Sequence, residues 1–351
     1  MPERRFLVVR LSSLGDIVHT FPAVAALRES FPAAEIVWLT QPRWKLLVAC
    51  ANLASRIWTT NTRELSAIKK TVAEIRATGF DTAIDYQGLW KSASLPFLAR
   101  VPHRIGFAST SVREFGVPFL YTDQVMTLST HVADQNGELS ERAGAPSPVA
   151  HFSVTPPPQD DEAMHKFLRA RGVDRYVVLS PGGGWLSKCW PADRFGVLCR
   201  MLTEKFRFRC VVNYGPGEDD LAAQLRSAAG ASDPLLFNGE LGQLMALLRH
   251  ALCVVGGDTG PLHLAVALGT PVVALFGPTD PARNGPYRPP QSSAWNEKPG
   301  NAAPEIPDDI VFRAKNVATT HRRDDRIHPS MLEIQVDAVF DAVQRIVKAR
   351  L

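Results

Sequence analysis

The sequence contains no Asp-x-Asp pair, no His-Glu-x-x-His and no Cys-x-x-Cys. The first two absences leave no ready-made carboxylate or zincin site for a catalytic metal. The five cysteines (Cys50, Cys189, Cys199, Cys210 and Cys253) are scattered, and none has a histidine at ligand spacing. An odd, unpaired set of this kind fits reduced thiols in a cytosol better than a disulfide framework or a zinc site. Long apolar runs are also lacking. Phe6–Val9 is cut off by Arg10, far short of a signal-peptide core. Leu262–Phe276 is broken by Gly269, Thr270 and Pro271, so it reads as a short helix, a turn and a buried strand rather than a membrane span.

What is present is the balance of a globular protein. Its 351 residues are 45% hydrophobic and 21% charged, enough for two buried cores. The net charge of +4 is small but unevenly spread: Arg43 to Arg113 holds eleven Lys/Arg against four Asp/Glu. A solvated basic face is the default reading of such a stretch. The sharper one is a surface for an anionic partner: phospholipid headgroups, nucleic acid or an acidic sugar.

Short apolar runs alternate with helical patterns twice over. Strands are expected at Phe6–Leu11, Ile36–Thr40, Ile57–Thr60 and Thr82–Asp85, then at Tyr176–Ser180, Cys210–Asn213, Cys253–Val255 and Val272–Phe276. Two-sided apolar strands between helices imply parallel sheets covered on both faces. The fold expected is α/β, with two Rossmann-like doubly wound domains facing a cleft. Five prolines in Pro146–Gln159 mark the linker between domains at 1–150 and 160–335. The amphipathic tail at 336–351 is expected to be a helix that braces the first domain. Pro286–His328, rich at first in Pro, Asn and Ser and later carrying a charged run, reads as a loop.

Three strand ends carry candidate chemistry. At Val254–His263, an apolar strand ends in glycines and a helix opens with Thr259 or Gly260 as cap and Pro261 in the first turn. Such a start offers free N–H groups and a positive dipole end to a phosphate, to which His263 would add a donor; the plain alternative is a well-capped junction. At Leu179–Pro191, three glycines permit close backbone approach to a ligand. The stretch is neither a P-loop, since Ser187 and Cys189 occupy the defining positions, nor a dinucleotide fingerprint. Lys188 remains as counter-charge for a diphosphate, or as a surface lysine. At Ser12–His19, Asp16 stands where strand turns to helix, where an N-cap is the commoner role and a general base the functional one. A helix N-terminus favours the charged carboxylate, so a base there suits a hydroxyl that loses its proton late.

Together these residues resemble glycosyltransferase family 9, the bacterial heptosyltransferases. The resemblance is carried by Ser12–Ala23, by Gly257–Ala265, and, for the heptosyltransferase I branch, by Asp81–Ser92 and Arg113-Glu114-Phe115 ahead of Tyr121. It implies a GT-B fold and an inverting transfer that needs neither metal nor cofactor, with Asp16 as base. By position, Lys188, Asp258, Thr259, Gly260, His263 and Glu218 would hold the nucleotide-sugar donor in the C-terminal domain. Ser13, Gly15, Gln87, Lys91 and Arg113 would face the acceptor in the N-terminal one. The implied donor is ADP-L-glycero-β-D-manno-heptose and the implied acceptor the Kdo of Kdo-lipid A, with another donor or core acceptor of the same family as the alternative. The partners expected are therefore a nucleotide sugar, an anionic lipid-linked sugar and the inner-membrane surface, not nucleic acid. The location expected is cytoplasmic and peripheral. A nucleotide-sugar epimerase would need further cleft carboxylates beside Asp16, and a non-catalytic binder would leave a carboxylate in the domain opposite the phosphate site without a purpose.

Overall fold

The computed structural model describes residues 4–112, 114–147, 149–289, 309–314, 317–320 and 324–351. They divide into two compact units, the first ending at Val154 and the second beginning at Thr155. In the first, β1 (Arg5–Val9), β2 (Glu35–Thr40), β3 (Arg56–Thr59), β4 (Thr82–Asp85), β5 (His103–Phe107) and β6 (Asp123–Val125) form one sheet in the order 3-2-1-4-5-6. In the second, β7 (Val177–Ser180), β8 (Val211–Asn213), β9 (Leu235–Phe237), β10 (Cys253–Gly257), β11 (Val272–Phe276) and β12 (Asp309–Arg313) form another in the order 12-11-10-7-8-9. Every pairing is parallel. Each order is that of a doubly wound dinucleotide-type domain, with its switch point between β1 and β4 in the first unit and between β7 and β10 in the second. Among the described residues no helix is long and apolar enough to cross a membrane.

The central strands are the ones the apolar runs announce. Phe6 to Val9, Val177 to Leu179 and Val272 to Phe276 are all buried, as parallel strands under helices on both faces must be. Four strands lie outside the expected ones, and none of them carries an apolar run longer than three residues. β6 and β9 have three residues each, and β5 opens on His103 and Arg104. The fourth, β12, lies inside the stretch expected to be loop; it pairs with β11 along its length, and Arg288 pins its first residue by a two-pronged pair to Asp309 at 2.8 and 2.9 Å.

The terminal helix Val336–Lys348 corrects an expectation. It was to brace the first domain, but its apolar stripe of Val339, Ala342, Val343, Ile346 and Val347 is buried in the core of the second unit. There it joins Phe195, Leu198 and Leu202 of the helix Ala192–Phe206 and the strand residues Val255, Val273 and Leu275. The reason is local: β10 and β11 present an apolar face beside that helix, and the stripe covers it. Each valine or isoleucine so buried contributes about 1.5–3 kcal/mol.

Candidate active site

Two side-chain clusters stand at the carboxyl ends of the switch-point strands, one in each unit. The first begins where β1 ends. Leu11, Leu14, Ile17 and Val18 are buried and hold the loop and the helix Leu14–Val18 against the sheet, leaving Ser13, Gly15 and Asp16 on the solvent side. Asp16 is not the cap itself: Ser13 is the N-cap residue and Asp16 lies in the first turn. Oδ2 of Asp16 accepts the backbone N–H of Ser13 at 2.9 Å and its hydroxyl at 2.8 Å. Oδ1 pairs with the nearly buried guanidinium of Arg10 at 2.9 Å, while the Asp16 side chain itself stays 47% exposed. Three donors orient the carboxylate and it still faces water.

The loop after β4 braces the loop after β1. Oε1 of Gln87 accepts the N–H groups of Leu11 and Ser12 at 2.9 and 3.1 Å, and Arg10 donates to the carbonyl of Tyr86. Behind Gln87 lies Asp85, fully buried; it falls within the Asp81–Ser92 stretch that carries the resemblance, which gave it no role. Its carboxylate accepts from the backbone of Gln87 (2.9 Å) and Gly88 (3.4 Å), from Ser92 Oγ (2.9 Å) and from Tyr121 Oη (2.8 Å). Burial pushes the Asp85 carboxyl up, against the pull of those four hydrogen bonds, and burial followed by the charge of Asp85 pushes the Tyr121 hydroxyl up as well. Asp85 therefore fixes the segment that fixes the Asp16 loop. Lys91 is exposed on the first turn of the helix Trp90–Leu98, and Arg113 lies outside the described residues.

The Tyr121 contact is tight enough to test. A Cβ on Gly106 of β5 would sit 2.3 Å from the Tyr121 ring. Gly106→Ala is expected to displace the ring and destabilise the protein by about 1–3 kcal/mol, measured by urea denaturation. An unchanged midpoint would mean that Tyr121 is not held in place by this packing.

The second cluster joins the loops after β7 and β10. Lys188 ends a short 3₁₀ turn, is buried, and reaches across to Asp258: Nζ donates to the Asp258 carbonyl, lies 3.7 Å from Oδ2, and sits 4.3 Å over the Trp185 ring. His263 Nε2 is 3.1 Å from Oδ1 of the same carboxylate. So His263, expected to point at an anion, is turned toward Asp258. Burial alone would raise the Asp258 carboxyl, but the His263 hydrogen bond and the Lys188 charge outweigh it and hold the group below the usual range. Thr279, which sequence reading passed over, adds a hydroxyl beside that carboxylate.

Thr259 is the N-cap of the helix Gly260–Ala267, yet it makes no side-chain cap bond. Its Oγ1 is buried and makes no hydrogen bond among the described residues. An orphaned hydroxyl at the positive end of a helix is suited to an oxyanion. Glu218 reaches the same end of the sheet: it accepts the N–H of Gly215 at 2.7 Å, and its carboxylate fills the place where a Cβ on Gly182 would stand, about 2.0 Å away. Lys188, Asp258, Thr259, Gly260 and His263 thus form one group, with Glu218 against the glycine loop that leads to Lys188.

The family model for glycosyltransferase family 9 (heptosyltransferase) matches residues 68–308. Lipopolysaccharide heptosyltransferase 3 of Escherichia coli K12 is 28% identical over 283 residues, covering 76% of this chain and 80% of that one. Lipopolysaccharide heptosyltransferase 1 of the same strain is 27% identical over 304 residues, covering 81% and 91%. The solved structure of E. coli heptosyltransferase WaaC with ADP superposes with a TM-score of 0.73 at 22% identity, covering 97% of this chain and 99% of that one.

Proposed function

Because the chain belongs to glycosyltransferase family 9 and is a glycosyltransferase, we propose that it moves heptose from ADP-L-glycero-β-D-manno-heptose to the Kdo of the lipopolysaccharide inner core, without a metal. The observation that carries this reading is the pair of clusters: an oriented, solvent-facing carboxylate in one unit and a lysine with an orphaned threonine hydroxyl at a helix start in the other.

In this reading the acceptor hydroxyl oxygen attacks the anomeric carbon while the bond to the diphosphate oxygen breaks, which inverts the centre. Asp16 takes the hydroxyl proton, late, as the leaving group departs. Lys188, the Thr259 hydroxyl and the N–H groups of Gly260 and its neighbours stabilise the charge that grows on the diphosphate. Asp258 holds Lys188 and His263 in place, and Glu218 bounds the site from the glycine loop. Ser13, Gly15, Gln87, Lys91 and Arg113 are proposed to line the acceptor side. Gln87 does so with its amide nitrogen, since its oxygen is committed to the loop. An ADP-bound relative of the same fold supports the adenosine donor.

Membrane docking is part of the proposal. Trp90, Phe97, Leu98, Phe115 and Phe119 are exposed, and Trp90 Nε1 donates to the carbonyl of Phe115 at 3.2 Å. Aromatic rings beside Lys91 and Arg100 suit an anionic lipid surface on the cytoplasmic side. A second reading, transfer to another core sugar, is favoured by the match to a heptosyltransferase 3 at least as well as to a heptosyltransferase 1.

The test is ADP release by the purified protein in EDTA, with ADP-heptose and either Kdo-lipid A or a heptosylated core as acceptor. Release that needs Kdo-lipid A and is undiminished by chelator is the expected result. Release only with the heptosylated core would select the second reading, and conversion of donor without acceptor would mean an epimerase.

A further inference from the structure

We propose that Asp161, His165 and His250 form a binding site for a divalent transition-metal ion, Zn²⁺ above all, that clips two helices of the second unit together. Asp161 and His165 stand four residues apart on the helix Pro158–Arg169, so both project from one face. His250 caps the C-terminus of the helix Leu241–Arg249, which packs against the first. One ligand atom from each of the three lies within 4.8 Å of the others. His250 Nε2 is 2.8 Å from Asp161 Oδ1, and His165 Nε2 is 4.0 Å from Asp161 Oδ2. Tetrahedral zinc with bonds of about 2.0–2.1 Å needs donor atoms roughly 3.3 Å apart, within that spread.

Both imidazoles face the same carboxylate, His250 at 2.8 Å and His165 at 4.0 Å, and their ring centroids are 4.4 Å apart, a convergence that a bound cation would draw together. Two imidazole nitrogens and one carboxylate are the ligand set of zinc and its neighbours, not of calcium or magnesium. With Asp161 half-buried and His165 and His250 exposed, water would complete the coordination. The neighbouring Lys166 cation is paired with Glu162 at 2.6 Å, so it does not oppose an ion at Asp161. The backbone turn just before His250 is held in place: Thr270 Oγ1 donates to the Leu248 carbonyl at 2.8 Å, and Tyr176 Oη to the Leu247 carbonyl at 2.8 Å.

The site is far from the Lys188 cluster. His250 precedes β10 and Asp258 follows it, and a five-residue strand spans about 16 Å. Its role is a cross-link, not chemistry. The sequence reading expected no metal, because only the Asp161 and His165 half is local and the third ligand comes from a distant helix.

The experiment is calorimetric titration of the tag-free, chelator-treated chain with Zn²⁺, alongside thermal melts and Co²⁺ absorption. One ion per chain, a higher melting temperature and a tetrahedral Co²⁺ band are expected, with transferase turnover unchanged in EDTA. Outer-shell changes alone cost about 10- to 100-fold in metal affinity, so His165→Ala and His250→Ala should each cost at least about 100-fold. His165 is exposed, so its loss leaves folding intact. No saturable binding, or binding that both variants retain, would overturn the site.

Discussion

Asp16→Asn is expected to lower kcat by about 10²- to 10⁴-fold, the range that a positioned general base contributes, while the affinity for the sugar nucleotide stays within about twofold of the parent. The asparagine oxygen can still accept the Ser13 N–H that closes the first turn at 2.9 Å, so the helix start survives. The Arg10 pair is lost, and because that guanidinium is nearly buried while the carboxylate is 47% exposed, a modest loss of stability of about 1 kcal/mol is expected. Binding and melting therefore report on the cap, and turnover on the base. A variant that melts early yet turns over at the parental rate would reduce Asp16 to a capping residue. Intact melting with intact turnover would move the base elsewhere.

Part of the candidate site's geometry is legible in the sequence, and the reasons are physical. Glycines and a proline at the end of an apolar strand mark the start of a helix, and the structure has Thr259 as its cap as the pattern allows. Lys188 and Asp258 stand on loops far apart in sequence, yet they follow β7 and β10, the two strands that flank the switch point. No single-loop pattern announces that contact, but the alternation of strands makes it geometrically available. The roles of Asp85, inside a quoted motif, and of Arg10 were not legible, because their value comes from what surrounds them. Asp85 matters through Tyr121, Ser92 and two backbone amides, and Arg10 through a carbonyl and a carboxylate on different loops.

The fold was readable where burial is two-sided and failed where it is not. β12 lies at a sheet edge with partly exposed residues, so its sequence alternates weakly and blends into the surrounding loop. The terminal helix shows a strong apolar stripe, and a stripe says that a helix packs without saying on what. Its partner is fixed by the uncovered face of β10 and β11, a tertiary fact that periodicity along one segment does not encode.

Lys188→Met is expected to weaken sugar-nucleotide binding and to cost about 10²- to 10³-fold in kcat, the loss that follows removal of a donor aimed at a leaving group's charge. It should also destabilise the fold, by about 3 kcal/mol at neutral pH, because a buried Asp258 is left without its cation. The pH dependence identifies the cause. In the parent chain Asp258 titrates below its unfolded value. Its contribution to stability is therefore complete above the unfolded value, near pH 4, and is lost as pH falls through the folded one. In the variant the His263 hydrogen bond still opposes burial but the lysine charge no longer does, so the folded value rises from its depressed position. The penalty then grows as pH climbs through the parent's folded value toward the variant's, and it is complete above both. The gap between the two melting curves should accordingly be wide at pH 7 and narrow as the pH falls below about 4. Adding Asp258→Asn to Lys188→Met removes the orphaned charge and should restore most of the stability while turnover stays low. A gap independent of pH, or a double variant as unstable as the single one, would show that Lys188 stabilises the loop by packing on Trp185 rather than by neutralising Asp258.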